Sequence, residues 1–332
     1  MIRYFYRRQW PMWHHLMPLA FFLSVAWQVF AGDAPQKFSA QKASFSVAFK
    51  DEVTPYRVMG VFVLPNEVLQ LSVHDSSKYA RYELRISGGK ILNETGNRWQ
   101  WQAPDKKGLY PLKVCRQSAI RDSITLNVLV MIPFAELQGE YLNHYRIGKY
   151  PDKPLKGRQI YQPPHGFIEV TSELEQTAIS PHFKLYQFLC KQDCEASKYV
   201  VLEERLILKL ELVLEEVNAK GYPCTTFQIM SGYRTPHYNQ AIGNVRYSRH
   251  CWGAAADIFI DENPKDGMMD DLNRDGSIDI QDAKVLHKII EQLQTLPEHH
   301  RFIGGLASYK ANASHGPFVH LDVRGYIATW GE

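Results

Sequence analysis

Two histidines and an aspartate, His250, Asp257 and His320, are the side chains of this chain best suited to hold a metal ion. Two neutral imidazoles and one carboxylate give a divalent cation three ligands, leave it net positive, and keep a fourth position open for water. That is the donor set of a hydrolytic zinc centre. Between His250 and Asp257 the chain places Gly253, Ala254, Ala255 and Ala256. Small residues there let the backbone pass close beside a metal and leave a cleft for substrate. A lone histidine is more often a satisfied core residue, so the weight of the reading lies in the combination.

A second pattern asks for a harder cation. In "DLNRDGSIDIQD", Asp271, Asn273, Asp275, Ser277, Asp279 and Asp282 occupy positions 1, 3, 5, 7, 9 and 12 of a loop, and Gly276 sits at its sharp turn. This is an oxygen-ligand spacing for calcium, with position 7 contributing its backbone carbonyl. An apolar stripe through Val285, Leu286, Ile289, Ile290 and Leu293 predicts a helix directly after it. The segment before the loop is too short and proline-broken for a complete EF-hand, so the pattern resembles half of a dockerin repeat.

The elements that must carry these residues follow from periodicity. Residues 199–220 are built of good helix formers, with an apolar stripe through Leu202, Leu206, Leu210, Val213 and Val217, and the pattern stops at Gly221. "TTFQIM" reads as a strand that delivers Ser231-Gly232-Tyr233-Arg234, "PHYNQAIG" as a short helix, and "AAADIFID" as a second strand. "GPFVHLDVRG" alternates as a third, with Phe318, His320 and Asp322 on one face. Upstream, residues 43–133 show short alternating runs broken by Pro, Gly, Asn and Asp, the pattern of an all-β, Ig-like antiparallel sandwich. Trp99 and Trp101 share one strand face, suited to the sandwich core more than to stacking on sugars. Residues 134–180, rich in Pro, Gly and Tyr, read as an irregular connector on the surface of the next domain, residues 181–332.

Three motifs, in order, resemble the zinc D-alanyl-D-alanine peptidases of metallopeptidase family 15, which include murein endopeptidases and vancomycin-resistance dipeptidases. Ser248-x-His250-x-x-Gly253-x-Ala255-x-Asp257 looks like the family's ligand signature, Ser231-Gly232-Tyr233-Arg234 like its arginine motif, and Phe318-Val319-His320-Leu321-Asp322 like its last ligand strand. The resemblance covers roughly residues 175–330 and not the sandwich. It implies an α+β fold shared with hedgehog-type domains, a zinc ion on His250, Asp257 and His320, and Arg234 holding a substrate carboxylate or the developing oxyanion. Many relatives place a carboxylate base three residues before the final histidine; here that residue is Pro317. His315 and Asp322 are the nearest ionisable replacements, and Asp322 suits equally a partner that orients His320. Tyr233 and Ser248 suit the site or the scaffold alike.

The chain has 332 residues and a formal charge of +3. Its first 31 residues contain Arg3, Arg7 and Arg8, an apolar run at 16–30 and no acidic residue, so they read as a signal peptide, and the remainder is formally neutral. A neutral chain gives no electrostatic case for nucleic acid. The expected location is periplasmic or otherwise exported, with a tether to the inner membrane only if the signal stays uncleaved. Of the five cysteines, Cys190, Cys194, Cys224 and Cys251 allow three disulfide pairings, with Cys115 left over, and buried thiols fit the sequence equally well. The expected partner is a peptidoglycan peptide, cleaved beside a D-amino acid. The rival expectation is a non-catalytic cell-wall-binding module with a structural or vestigial zinc site.

Overall fold

Alternating apolar residues turn the first hundred described residues into strands. A computed structural model describes residues 38–77, 79–117, 122–195 and 197–331; the proposed signal peptide lies outside them. The strands are β1 (Lys42–Phe49), β2 (Glu52–Tyr56), β3 (Val58–Val63), β4 (Val68–His74), β5 (Arg81–Ile86), β6 (Lys90–Thr95), β7 (Arg98–Gln102), β8 (Gly108–Gln117) and β9 (Asp122–Val130). They form two sheets, ordered β2-β1-β4-β7-β6 and β3-β9-β8-β5. Every pair is antiparallel except β3 with β9, which run parallel, so the expected antiparallel sandwich needs that one correction. Trp99 and Trp101 are buried with Val47, Leu71, Leu126 and Val128, which settles their place in the core.

The connector is less superficial than its composition suggests. Just after β10 (Ile132–Pro133), it contains a small hairpin of β11 (Tyr141–Leu142) and β12 (Tyr145–Arg146), and β13 (Gly166–Val170), which pairs with β10 and with β14 (Lys198–Val200). Tyr145, Ile147, Tyr150 and Tyr161 are buried, and the Tyr150 and Tyr161 hydroxyls find partners there. Tyr150 donates to the Cys251 carbonyl at 2.8 Å and sits 3.2 Å from the Tyr233 hydroxyl. This segment therefore belongs to the interior around the site.

Helix α1 (Glu204–Ala219) starts five residues later than its sequence suggests, because Tyr199 and Val200 pair with β13 instead. Its end is as expected, with Gly221 at φ 87° accepting the left-handed turn. The second sheet follows: β15 (Gln228–Ser231), α2 (Pro236–Ala241), β16 (Ala255–Phe259), α3 (Ile280–Thr295), β17 (Gly305–Tyr309), β18 (Phe318–Asp322) and β19 (Ala328–Trp330). The order is β15-β16-β18-β17-β19, antiparallel except for the β17–β19 pair. Helix α3 packs on β17 and β18 and against α1. Its Leu286, Ile290 and Leu293 are buried, as the stripe predicts. Sandwich, connector and this mixed α+β layer form one compact unit, Phe38–Glu332. Among the described residues, no helix is long and apolar enough to cross a membrane. Cys190, Cys224 and Cys251 are buried free thiols, and Cys115 is a half-buried one.

Candidate metal centre

Strand register brings two of the three proposed ligands together. Asp257 on β16 lies directly opposite His320 on β18, and Ser231 at the end of β15 lies opposite Asp257 on its other side. His250 arrives from a single 3-10 turn, Arg249–Trp252, that ends at Gly253. Gly253 has φ 63°, and a Cβ there would stand 2.0 Å from the Val201 carbonyl oxygen. Its own carbonyl accepts from the Glu203 amide at the start of α1. Only glycine fits such a contact, and the contact fixes the turn that presents His250.

The donor atoms converge. His250 Nε2 is 3.2 Å from Asp257 Oδ1 and 3.2 Å from His320 Nδ1, and His320 Nδ1 is 2.8 Å from Asp257 Oδ1. A tetrahedral ion with bonds of about 2.0–2.2 Å spaces its ligand atoms about 3.3–3.5 Å apart, so a small outward movement accommodates zinc. Among the described residues, no other group of three or more His, Cys, Asp or Glu side chains gathers its ligand atoms this closely. All three are buried.

The partners behind the ligands match what a metal site requires. His250 Nδ1 donates to the Gly232 carbonyl at 2.6 Å, which leaves Nε2 as the free lone pair. His320 uses its far nitrogen, Nε2, toward Asp322 Oδ2 at 3.3 Å. Asp257 Oδ2 is held by Arg234, whose Nε donates to Ser231 Oγ at 2.8 Å. Burial pushes the His250 pKa down and keeps that imidazole neutral. Burial also opposes charge on Asp257, but the rings of His250 and His320 outweigh it and hold the carboxyl well below its usual range. Burial lowers His320 too, yet its hydrogen bonds to Asp257 and Asp322 raise it overall, so a cation would enter in exchange for a proton.

The contacts of the remaining candidates differ in kind. Asp322 accepts from His320, from the Gly305 amide at 2.7 Å and from Arg324, and it is fully buried. This enclosed carboxylate lies across the ring from the metal point and outside the cleft lining, a geometry that suits orienting His320. Arg234 is an anchor of Asp257 first; among the described residues its Nη1 alone of the guanidinium nitrogens has no protein partner. His315 lines the cleft, with Nε2 2.8 Å from Asn312 Nδ2 and Nδ1 2.8 Å from the Gly316 carbonyl. Tyr233 is buried against Tyr150 and is structural, whereas Ser248 lines the cleft.

The side chains of the loop at 271–282 are hydrogen-bonded within the loop and at the start of α3. Asp271 accepts from the amides of Asp275 and Gly276, Asp275 from Ser277, and Asp279 from Gln281. Asp282 is buried and accepts from Leu272, Asn273 and Asp279. These carboxylates close Asx-turns and cap α3, with Asp279 and Asp282 forming a capping box.

Sequence reasoning missed the far wall. Trp330 sits with its ring 5.2 Å from that of His320 and donates to the Tyr309 hydroxyl at 2.8 Å. Arg324 stacks 4.6 Å over Trp330 while neutralising Asp322. Extending the two-residue alternation past Asp322 would have put Arg324 on the His320 face; nothing local marks Tyr309 or Trp330. Together with Tyr161 and Leu155 from the connector, these residues border an open cleft of about 1390 Å³ that has the three ligands in its lining. That exceeds an ordinary small-molecule pocket of roughly 300–1,000 Å³ and has room for an extended peptide.

No curated protein matches the chain. Residues 181–280, a stretch that includes Arg234, His250 and Asp257 but ends before His320, match the family described as Peptidase M15. That match is a likeness of this stretch of the chain to the family, and it takes in two of the three converging side chains.

Proposed function

We propose that the protein is an exported zinc peptidase that hydrolyses peptide bonds next to D-amino acids in peptidoglycan stem peptides or cross-links. The observation that carries this reading is the convergence of His250 Nε2, Asp257 Oδ1 and His320 Nδ1 in the lining of an open, peptide-sized cleft. Zinc held there would supply Lewis-acid chemistry, polarising the scissile carbonyl and acidifying water. Arg234 fixes Asp257 through Oδ2, and its remaining nitrogen can meet negative charge developing on the substrate. His315, the histidine of the cleft lining outside the proposed ligand set, would move the proton while Asp322 is turned to His320. Export is supported by the basic start and apolar run of residues 1–31. The same reading keeps a structural calcium at Asp271, Asn273, Asp275, Ser277, Asp279 and Asp282, supported by the spacing alone.

The test is digestion of purified peptidoglycan with the zinc-loaded protein, with products identified by mass. Release of D-alanine marks a carboxypeptidase and opened cross-links mark an endopeptidase. Neither product should form with His320→Ala, which should also fail to retain zinc. Full activity in that variant, or no product from the parent, would overturn the proposal.

A further inference from the structure

The cleft carries an unbalanced charge. Its lining contains the cations Lys191, Arg234, Arg246, Arg249 and Arg324, against one carboxylate, Asp257. Three of the five are neutralised: Arg234 by Asp257, Arg249 by Glu203 and Arg324 by Asp322. Lys191 and Arg246 are exposed, and among the described residues neither has a hydrogen-bond or ion-pair partner. They come from different elements. Lys191 precedes β14 and also borders a smaller hollow along Gln228–Gly232 beside edge strand β15, while Arg246 lies in the loop that leads from α2 to the His250 turn. A divalent metal on His250, Asp257 and His320 would add to the same sign. Clefts lined by one charge concentrate the opposite one.

We infer that the cleft selects a stem peptide whose side carboxylates are free over one in which they are amidated, and that Lys191 and Arg246 are the specificity-determining residues that read this charge. The inference rests on the proposed function and names its substrate class more narrowly. Each cation is exposed and screened, so a single contact is worth up to about fivefold, and the effect fades with salt.

The experiment compares two synthetic muropeptides that differ only in bearing carboxylates or carboxamides. The zinc-loaded parent, Lys191→Gln, Arg246→Gln and the double variant are assayed at low and high salt, with zinc content measured for each. The parent should show a kcat/KM about fivefold or more higher for the carboxylate form at low salt, and less at high salt. In the double variant that ratio should fall to within about twofold of one, with zinc retained. No preference in the parent, or a preference that survives in the double variant, overturns the inference. If the parent cleaves neither peptide, the peptidase reading fails, and titration of the same peptides into the zinc-loaded proteins decides the charge question. Tighter binding of the carboxylate form by the parent alone supports the inference; equal binding of both forms overturns it.

Discussion

Asp322 and His315 separate two kinds of contribution at the level of single side chains. Asp322 acts on His320 from behind, so Asp322→Asn should weaken zinc binding by about 10–100-fold, read by competition with a chelator. His315→Ala should keep zinc and lower turnover about 100-fold, with loss of one limb of the pH–rate profile. Equal zinc loss in both variants would contradict the division. A third side chain gives a pH signature. Lys209 is fully buried on α1, bonded to the Asp322 carbonyl at 2.8 Å and to Gln294 at 3.2 Å. Burial pushes its pKa down to about 7, against Asp322, which raises it. An unfolded lysine titrates near 10.4, so between about 7 and 10.4 the unfolded chain holds more protons and stability from this group rises with pH, by up to about 1.4 kcal/mol per unit. Below about 7 the penalty for burying the charge is complete. Lys209→Met should flatten that part of the stability profile in denaturant titrations; an unchanged slope would show that Lys209 does not carry it.

At the level of elements, legibility followed periodicity. The stripe on α3 could be read because one buried face repeats at a fixed spacing and the end of α1 because Gly221 stops it, whereas β16 and β18 are buried on both faces and were legible as short, mostly apolar runs. The start of α1 could not, since Tyr199 and Val200 are acceptable in a helix and only the distant β13 claims them. The ligand triad was legible by motif, whereas the contacts that enclose Asp322, from Gly305 and Arg324, are ones that spacing does not encode. The 271–282 loop shows the ambiguity most plainly, because oxygen donors that suit calcium also suit Asx-turns and a helix cap. Calcium bound there should raise the melting temperature of the parent, with zinc still in place, and leave an Asp271→Ala, Asp275→Ala double variant unresponsive. An equal response in both proteins, or none in the parent, would leave the loop as a cap alone.

Across the whole molecule, the sandwich is tied to the C-terminal α+β layer by charges set against α1. Glu52 is buried and meets Arg205 at 2.8 Å and Arg301 at 2.8 Å, while Glu204 accepts from Lys50 and from the Phe62 amide. Glu52→Ala strands two arginines and should cost about 2 kcal/mol or more, lowering a single cooperative melting transition. Two transitions in the parent would show that the halves melt independently. The wall built by Leu155 and Tyr161 has a consequence of another kind. Those residues lie upstream of the 181–280 stretch that holds His250 and Asp257, and the Tyr161 ring meets those of Trp252 and Tyr247 edge-on. Ligands and part of the wall are therefore encoded in separate lengths of chain. A substitution at Leu155 would reshape that wall without touching a proposed ligand, whereas Tyr150, in the same segment, bonds the Cys251 carbonyl beside His250 and would have to be kept.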